Sequence, residues 1–355
     1  MKIVQIAPLV ESVPPKLYGG TERVVSYLTE ELVRQGHEVV LFASGDSVTS
    51  AELVPGTRQA LRLSPIARDP LPSMMLLLEE VRRRAGAFDA LHFHIEFLHC
   101  PMFRSFAGRC LTTLHSRLDQ PDLADFYREF SEMPVVSISE SQRQPLPHAR
   151  WVATVPHGIP RNLVRFNSNP AGGYLAFLGR ISPEKRLDRA IGIARRAGLP
   201  LKIAAKVDRA DSAYFEHEIR PLLNHPLIEW IGEIGDAEKS AFLGNALALL
   251  FPIDWPEPFG LVMIEAMAGG TPVIAWRRGS VPEVIEDGVS GFIVDDEAGA
   301  VEAVRKLAGV DRAQVRACFE RRFTVEHMAR NYLQVYQQLD ISGASPVRAA
   351  VSRAA

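Results

Sequence analysis

A stretch that begins at Asp254 contains the residue types and spacings best suited to chemistry. It reads DWPEPFGLVMIEAMAGG, so Glu257 and Pro258 stand immediately before an apolar helical run. Proline restricts the residue that precedes it, and the helix can therefore begin near Phe259 or Gly260. The first N–H groups of a helix have no partner inside the helix, and the dipole behind them favours negative charge. The sequence thus predicts an anion site at the backbone N–H groups of Phe259, Gly260 and Leu261.

Two carboxylates flank this anion site. Glu265 lies about five residues into the helix, which is about 7.5 Å along its axis at ~1.5 Å per residue. A carboxylate does not bind phosphate directly, but it accepts hydrogen bonds from both hydroxyls of a sugar diol. The pattern is typical of a site for a sugar nucleotide, with ribose and hexose on either side of a diphosphate. Charge and spacing alone leave a second interpretation open, in which Glu257 caps the helix and Glu265 pairs with a basic residue.

A second loop supplies the positive charge that a diphosphate requires. The segment GRISPEKR follows an expected strand and contains Arg180 and Lys185. Ser182 is a suitable N-cap with Pro183 at the first helical position, which places both cations at a helix start. Arginine forms two parallel hydrogen bonds to phosphate, and lysine provides a mobile point charge. Taken alone, such charges are more often solvent-facing residues of a helix start.

A third loop, YGGT, follows the first expected strand. It consists of Tyr18, Gly19, Gly20 and Thr21. We expect Thr21 to be the N-cap of a helix that runs to Gln35, with Gly36 as its left-handed stop. Two glycines before a helix allow the backbone to approach an oxyanion closely. The segment is not a dinucleotide-binding fingerprint, since it lacks the G-x-G-x-x-G spacing.

A histidine marks the fourth loop. His115 ends an expected buried strand, TTLHS, and should project from the end of the sheet. A lone histidine there is more often a structural group with its hydrogen bonds satisfied. His92 and His94 share one face of another strand and suggest a metal site with His99, but the surrounding carboxylate pattern does not favour it. The sequence therefore predicts no metal ligands.

Short β-rich runs alternate with amphipathic helical runs along the chain, and this alternation positions all four loops. Such a pattern is typical of a parallel sheet with helices on both faces. Loops after the carboxyl ends of the strands are then the expected ligand sites. Six strands are expected in the first half: Lys2 to Ala7, Glu38 to Ala43, Ala90 to His94, Arg109 to Leu114, Pro134 to Ile138 and Trp151 to Val155. Six are expected in the second half: Tyr174 to Leu178, Leu201 to Ala205, Ile228 to Ile231, Ala246 to Phe251, Pro272 to Ala275 and Gly291 to Val294.

The segment from Pro160 to Gly173 is rich in Pro, Asn, Ser and Gly and is predicted to be a linker. We expect an α/β protein of two doubly wound, Rossmann-like domains that face each other across a cleft. The predicted domains are 1–165 and 170–323. A last helix within 324–340, with Thr324 as its N-cap, is expected to cross back to the first domain, and 341–355 is expected to be a flexible tail.

Composition limits the classes of function. The chain has 355 residues, of which 47% are hydrophobic and 23% charged, and a formal net charge of −2. That balance does not favour nucleic-acid binding. No stretch approaches the ~20 apolar residues of a membrane span, and Met1 leads directly into an expected strand, so we expect a cytoplasmic protein. Three cysteines without paired metal spacing are predicted to be buried thiols: Cys100, Cys110 and Cys318.

Together these motifs resemble the retaining nucleotide-sugar glycosyltransferases of the GT-B fold, specifically family 4. The most specific element is the E-x7-E motif from Glu257 to Glu265 with its EPFG opening, followed by EAMAGGTPVIA, Gly279 with Ser280, and VPEVIEDGVSGFIV. GRISPEKR is similar to the loop that binds the donor diphosphate in that family. YGGTE resembles its glycine-rich loop on the acceptor side. The resemblance covers nearly the whole chain.

The resemblance implies a role for each candidate residue. Arg180 and Lys185 would hold the donor diphosphate, Glu265 the ribose hydroxyls, and Glu257 a hydroxyl of the transferred sugar. Backbone groups of Phe259, Gly260 and Leu261 would complete the donor site, with Ile234 near the base. His115 would contact the donor sugar, and Gly20 would lie near the leaving phosphate. Three positions depart from the family pattern: Ser116, His157 in VPHGI, and the KIAAK end of the strand that finishes near Lys206.

The implied reaction is transfer of a hexosyl group, with retention, from a nucleoside diphosphate sugar to an acceptor hydroxyl. The resemblance favours a UDP-sugar as donor substrate and a saccharide, lipid-linked sugar or small molecule as acceptor. Neither a cofactor nor a metal ion is expected, because no Asp-x-Asp motif is evident in the donor region. Two alternatives remain: a GT-B sugar-nucleotide epimerase, or a non-catalytic nucleotide-sugar-binding protein.

Overall fold

The computed structural model describes residues 1–16, 19–64 and 69–339. The chain folds into two compact units. Among the described residues, unit 1 comprises those within 1–137, 145–155 and 329–339, and unit 2 comprises residues 138–144 and 156–328. The domain limits expected from the sequence stay a prediction, and the expected tail lies outside the described residues.

Unit 1 is built on a parallel sheet. Its strands are β1 Lys2–Ile6, β2 Glu38–Ser44, β3 Glu52–Thr57, β4 Ala90–Phe93, β5 Cys110–Thr113, β6 Val135–Ser137 and β7 Trp151–Thr154. Within the described residues the strand order is β3-β2-β1-β4-β5-β6-β7, and every neighbouring pair is parallel. The order reverses between β1 and β4, so loops after these two strands open at the switch point where α/β sheets bind ligands.

Unit 2 repeats the arrangement with a second parallel sheet. Its strands are β8 Leu175–Arg180, β9 Leu201–Lys206, β10 Ile228–Gly232, β11 Ala248–Phe251, β12 Val273–Trp276 and β13 Gly291–Val294. The order is β10-β9-β8-β11-β12-β13 in the part of the chain that the structure describes. Here the switch point lies between β8 and β11.

Helices cover the faces of the sheets. Those before β8 are α1 Gly20–Arg34, α2 Leu71–Arg84, α3 Cys100–Phe103, α4 Pro121–Glu129 and α5 Glu140–Arg143. Those after it are α6 Leu187–Ala197, α7 Ser212–Tyr214, α8 Asp236–Gly244, α9 Leu261–Ala268, α10 Val281–Val284, α11 Glu297–Lys306, α12 Arg312–Arg322 and α13 Val325–Gln338. None of the described helices is long and apolar enough to cross a membrane.

Side-chain alternation along the strands of unit 1 gives the sheet two different faces. Val4 and Leu91 belong to an apolar core that also contains residues of α2. Gln5 and His92, which pair in register on β1 and β4, point to the opposite face because successive residues of a strand alternate. Both polar side chains are nevertheless fully buried.

The count of six strands in the first half is wrong, since the sheet of unit 1 has a seventh, β3. Its sequence, ELVPGT, contains Pro55 and Gly56, which weaken a strand signal. Proline is tolerated there because β3 lies at the edge of the sheet, where one side of the strand makes no ladder hydrogen bonds.

The predicted linker from Pro160 to Gly173 lies within unit 2. The buried guanidinium of Arg312 holds it there by donating to the carbonyl oxygens of Asn167, at 2.7 Å, and Gly244, at 2.8 Å. The three cysteines are free and buried, as expected.

Candidate active site

Two loops of unit 2 meet at the switch point between β8 and β11. The backbone N–H of Asp254, after β11, donates to the carbonyl oxygen of Glu184, after β8, at 2.9 Å. The Asp254 carboxylate accepts hydrogen bonds from Arg186 at 3.0 Å and Arg189 at 2.9 Å. These contacts link the loop that carries Lys185 to the loop that carries the DWPEPFG segment.

Lys185 and Glu257 are in direct contact across these loops. The Lys185 ammonium donates to Oε2 of Glu257, and the indole N–H of Trp255 donates to the same oxygen at 2.9 Å. Lys185 Nζ also lies 4.7 Å from the centre of the Trp255 ring, close enough for a cation–π interaction. The structure therefore brings together two residues that the sequence separates by 72 positions.

The backbone around Glu257 is held from two other segments of unit 2. Ser280 donates from its backbone N–H to the Glu257 carbonyl oxygen at 3.0 Å. Its hydroxyl donates to the Phe259 carbonyl oxygen at 2.8 Å. The hydroxyl of Ser139 donates to the Pro258 carbonyl oxygen at 2.7 Å. Sequence reasoning missed Ser139, because nothing in its local pattern shows a partner so distant in the chain.

Gly279 allows this close approach. It adopts a left-handed φ of 52°, and a Cβ atom placed on it would lie 2.3 Å from the carbonyl oxygen of Glu257. Any side chain at position 279 would therefore displace the backbone of Glu257.

The helix after Glu257 begins one residue later than the later of the two expected starts, Phe259 and Gly260. Gly260 occupies the N-cap position in a left-handed conformation with φ 82°, no side chain caps the helix, and α9 begins at Leu261. The N–H groups of the first turn consequently have no side-chain oxygen of the N-cap residue to donate to. The anion site expected at Phe259, Gly260 and Leu261 stays a prediction.

Glu265 lies on the buried side of α9 and is only 3% exposed. Its carboxylate accepts from Lys239 Nζ, on α8, at 2.9 Å, and Lys239 is also 3.4 Å from Asp236. Glu265 thus has the basic partner that the second interpretation of the motif required. Glu257 does not follow that interpretation, because its carboxylate pairs with Lys185 instead of capping α9.

Arg180 ends β8 beside Lys206, its register partner on β9. Its guanidinium donates to Glu184 and lies 3.6 Å from Asp208 and 3.7 Å from Asp211. Burial raises the pKa of Asp211, and the positive charge of Arg180 opposes that rise. The cation expected to hold a diphosphate is therefore surrounded by carboxylates of its own unit.

Ser182 and Pro183 take the expected N-cap and first positions, but of a 3₁₀ helix, whereas the expected N-cap at Thr21 is wrong. Pro183–Lys185 form a single 3₁₀ turn after Ser182, and α6 begins only at Leu187 because Arg186 takes a left-handed φ of 52°. In unit 1, Gly19 and not Thr21 occupies the N-cap position, and α1 begins at Gly20 without a side-chain cap. Tyr18, the first residue of that motif, lies outside the described residues.

Two further candidate residues, Ile234 of unit 2 and Gly20 of unit 1, lie in or beside loops. Ile234 lies in the loop between β10 and α8 and is half-buried. Gly20 is exposed at the first position of α1, after the loop that follows β1.

His115 follows β5 at the end of the unit 1 sheet. Its Nε2 is 2.9 Å from Nδ1 of His94, and its backbone N–H donates to Oε1 of Glu96 at 3.1 Å. Burial lowers the pKa of His115 to about 3, so the imidazole is neutral at physiological pH. A neutral imidazole has one donor and one acceptor nitrogen and can hydrogen-bond a sugar hydroxyl in either sense.

The other histidines do not form a metal site. His92 is 2.7 Å from both the Tyr336 hydroxyl and the Thr113 hydroxyl, whereas His99 is 2.9 Å from the Thr112 hydroxyl. Thr112 and Thr113 point to opposite faces of the sheet, so His99 lies on the face away from His92. Over residues 1–16, 19–64 and 69–339, no group of three His, Cys, Asp or Glu side chains is arranged to hold a metal ion.

Comparisons with known proteins agree with this architecture. Two family models match: "Glycosyltransferase Family 4" over residues 18–172 and "Glycosyl transferases group 1" over residues 161–311. The chain is 27% identical over 386 residues to a phosphatidyl-myo-inositol mannosyltransferase of Mycobacterium leprae, covering 97% of this chain and 98% of the relative.

Solved structures share the fold. Sucrose-phosphate synthase from Thermosynechococcus elongatus is 18% identical with a TM-score of 0.76, covering 96% of this chain and 99% of that one. The Anabaena protein HepE, solved in complex with UDP-glucose, is 17% identical with a TM-score of 0.70, covering 96% and 100%. These likenesses confirm the predicted α/β fold of two parallel sheets, and the family matches confirm the predicted enzyme class. The chain is a glycosyltransferase of the GT-B fold and belongs to glycosyltransferase family 4.

Proposed function

We propose that this enzyme transfers a hexosyl group, with retention of configuration, from a UDP-sugar to a hydroxyl group of an acceptor. The observation that carries the proposal is the contact of Lys185 with Glu257 beside the uncapped start of α9. It puts a cation, a carboxylate and backbone donors at one edge of one sheet. A nucleoside diphosphate sugar offers the matching groups, which are phosphate oxygens and hydroxyls.

Each residue has a proposed part in holding the donor. Arg180 and Lys185 bind the diphosphate together with the N–H groups of Phe259, Gly260 and Leu261. The diphosphate oxygens take the place of the carboxylates that surround Arg180. Glu265 accepts from the ribose hydroxyls, and its buried carboxylate also accepts from Lys239. Ile234 contacts the base, and Gly20 lies near the leaving phosphate.

In the proposed reaction, the main contribution of the protein is to stabilise the leaving group. The bond between the anomeric carbon and the diphosphate oxygen breaks, and its electron pair stays on the diphosphate. The acceptor oxygen forms the new bond on the same face, and its proton goes to the departing phosphate. Fixed positive charge and aligned N–H groups stabilise this developing charge without having to reorganise.

Glu257 and His115 hold the sugar in this scheme. Glu257, already hydrogen-bonded by Lys185 and Trp255, accepts from a hydroxyl of the transferred hexose. His115, kept neutral by burial, hydrogen-bonds another hydroxyl. A trapped covalent sugar on Glu257 would contradict this assignment, because it would make Glu257 a nucleophile.

Two relatives support the choice of donor without deciding it. HepE was solved with UDP-glucose, and the mycobacterial relative is named a mannosyltransferase. The first name supports a UDP-sugar as donor, and the second supports a hexose as the transferred group.

The test is a donor and acceptor screen read by mass spectrometry, with the anomeric configuration of the product determined by NMR. We first compare UDP, GDP, ADP and dTDP by thermal shift and expect UDP to give the largest stabilisation. We then expect a hexosyl product that keeps the donor configuration. Conversion of the donor to an epimer without any acceptor would favour the epimerase instead, and binding without turnover would contradict the proposal.

A further inference from the structure

A series of buried polar side chains runs through unit 1 and ends on His115. Gln5 of β1 donates from Nε2 to the hydroxyl of Tyr336, on α13, at 3.1 Å. Its Oε1 is 2.7 Å from Nε2 of His94, and Nδ1 of His94 is 2.9 Å from Nε2 of His115. We call these four residues, Tyr336, Gln5, His94 and His115, the His115 support chain.

The register of the sheet explains why these residues meet. Gln5 and His92 are register partners on β1 and β4, and His94 follows His92 by two residues on the same face. The aromatic residues of α13 cover that face, where the His92 ring lies 5.6 Å from the Tyr336 ring. Gln5 and Tyr336 have no exposed surface, and His94 is 2% exposed. Buried polar groups of this kind contribute stability only when each one has a partner.

The direction of each hydrogen bond follows from the Gln5 amide, which has one accepting and one donating end. Its oxygen faces Nε2 of His94, so that nitrogen carries the ring proton. Burial favours the neutral form of His94, whose Nδ1 is then an acceptor. Nε2 of His115 must therefore donate to it, which leaves Nδ1 as the accepting nitrogen of His115.

The other end of the series continues in the direction that the Gln5 amide sets. The Tyr336 hydroxyl accepts from Gln5 and so donates to Nδ1 of His92, at 2.7 Å. Nε2 of His92 is then the donor to Thr113, at 2.7 Å. Turning the amide round would require every one of these hydrogen bonds to reverse. The series is therefore cooperative, and it specifies one proton position on each ring.

We propose that Gln5 and His94 are positioning residues for His115, which hold its ring and keep its proton on Nε2 so that Nδ1 accepts from a hydroxyl of the transferred sugar. This inference rests on the proposed function, which assigns His115 to the donor sugar. It adds two residues that do not touch substrate themselves. A neighbour that fixes the tautomer of a histidine also determines which hydrogen bond that histidine can offer.

The test compares Gln5→Met with Tyr332→Phe. Gln5→Met keeps the length of the side chain and removes both hydrogen-bonding ends, which releases His94. Tyr332→Phe removes an equally buried hydroxyl from α13, one that bonds Thr113 at 2.8 Å beyond the His92 end of the series, and it leaves all four residues of the His115 support chain and the hydrogen bonds between them in place. The tautomer of His115 is measured by ¹⁵N NMR of protein labelled with ¹⁵N at its histidines. The signal of His115 is identified as the one that is absent from the spectrum of His115→Gln.

We expect wild type and Tyr332→Phe to show His115 protonated on Nε2, and Gln5→Met to show a mixture of tautomers. We expect kcat/KM for a UDP-sugar to fall roughly tenfold in Gln5→Met, the effect of losing one oriented hydrogen bond. Affinity for UDP alone should not change, because UDP lacks the sugar that His115 contacts. Should Gln5→Met not fold, Tyr336→Phe, which removes the partner of the amide N–H, is expected to change the tautomer in the same direction.

Three outcomes would overturn the inference: an unchanged His115 tautomer in Gln5→Met, equal losses of kcat/KM in Gln5→Met and Tyr332→Phe, or a parallel loss of UDP affinity. Each would indicate that the series only packs the unit. Absence of transfer by the wild-type protein would count against the proposed function alone, since the tautomer can be measured without turnover.

Discussion

Glu257 owes its position to its backbone as much as to its carboxylate. Gly279 and Ser280 hold its carbonyl group, and Lys185 and Trp255 hold its side chain. The sequence identified Lys185 and Glu257 separately, in two distant motifs, and the structure shows that they pair. Sequence patterns identify such residues because the motifs are local, whereas contacts between motifs depend on the sheet that joins them.

A methyl group at position 279 tests this arrangement. In Gly279→Ala the new Cβ would lie 2.3 Å from the Glu257 carbonyl oxygen, so we expect the backbone of Glu257 to move and kcat to fall at least roughly tenfold. The strain should also cost about 1–3 kcal/mol of unfolding free energy. Steady-state kinetics and urea unfolding measure the two effects.

Gly288→Ala is the matched control. Gly288 also has a left-handed φ, 78°, but a Cβ there would meet nothing within 4 Å. We expect it to lose about 1 kcal/mol of stability from backbone strain and to keep its activity. Equal losses of activity in the two variants would show that the Glu257 backbone is not the sensitive element.

A second residue-scale prediction concerns the buried carboxylate of Glu265. Lys239→Met removes its cation at 2.9 Å and leaves a buried charge without that partner. We expect a loss of about 3 kcal/mol in the free energy of unfolding, measured in urea. Lys202→Met, which breaks an exposed ion pair with Glu229, should change stability by less than about 1 kcal/mol. A similar, small loss in both variants would contradict the account.

At the scale of elements, the expected strands are present and β3 was missed, whereas the α-helix starts expected for α1 and α6 were misplaced. Continuous apolar runs such as that of β11, Ala248–Phe251, mark a strand buried on both faces. The start of α6 depends instead on the left-handed Arg186, whose guanidinium bonds Asp188 and Asp254. Because that conformation is set by contacts from another loop, Ser182 and Pro183 signalled a helix start four residues too early.

The histidines next to β4 and β5 make an element-scale prediction about pH. Burial lowers the pKa of His92, His99 and His115 below the ordinary 6.5, with His99 and His115 at about 3. Between pH 6.5 and those values the unfolded chain binds more protons than the folded chain, so stability must fall as the pH falls. Each histidine contributes about 1.4 kcal/mol per pH unit. Denaturant unfolding from pH 7 to pH 5 should show this decline.

His99→Gln isolates one of these contributions. Glutamine can keep a hydrogen bond to Thr112 but does not titrate. We expect the pH dependence of its unfolding free energy to be shallower than that of wild type by about 1.4 kcal/mol per pH unit. A slope identical to that of wild type would show that His99 is not buried in its neutral form.

At the scale of the whole molecule, two units of similar topology carry different parts of the chemistry. Unit 2 contains the residues proposed for the donor diphosphate and ribose, and unit 1 contains His115 and Gly20. The repetition of a parallel sheet could be predicted from the alternation of strands and helices. Strand β3 and the proposed support of His115 by Gln5 could not be predicted, because both depend on neighbours in the sheet and not on neighbours in the sequence.

A prediction about divalent cations concerns the whole reaction. We propose that Arg180, Lys185 and the start of α9 stabilise the leaving diphosphate, so a divalent cation has no required part. We expect transfer activity to be unchanged by EDTA. An absolute requirement for Mg²⁺ or Mn²⁺, restored on adding the ion back, would contradict that expectation.

The measurement that tests the central claim most directly is the affinity of UDP for wild type, Lys185→Ala and Lys202→Ala by isothermal titration calorimetry. Lys202 is a lysine of the same unit that pairs with Glu229 on neighbouring strand β10. If Lys185 holds the diphosphate, Lys185→Ala should bind UDP at least roughly tenfold more weakly, and Lys202→Ala should bind it like wild type. Equal affinities in all three proteins would contradict the assignment of the donor site to the contact between Lys185 and Glu257.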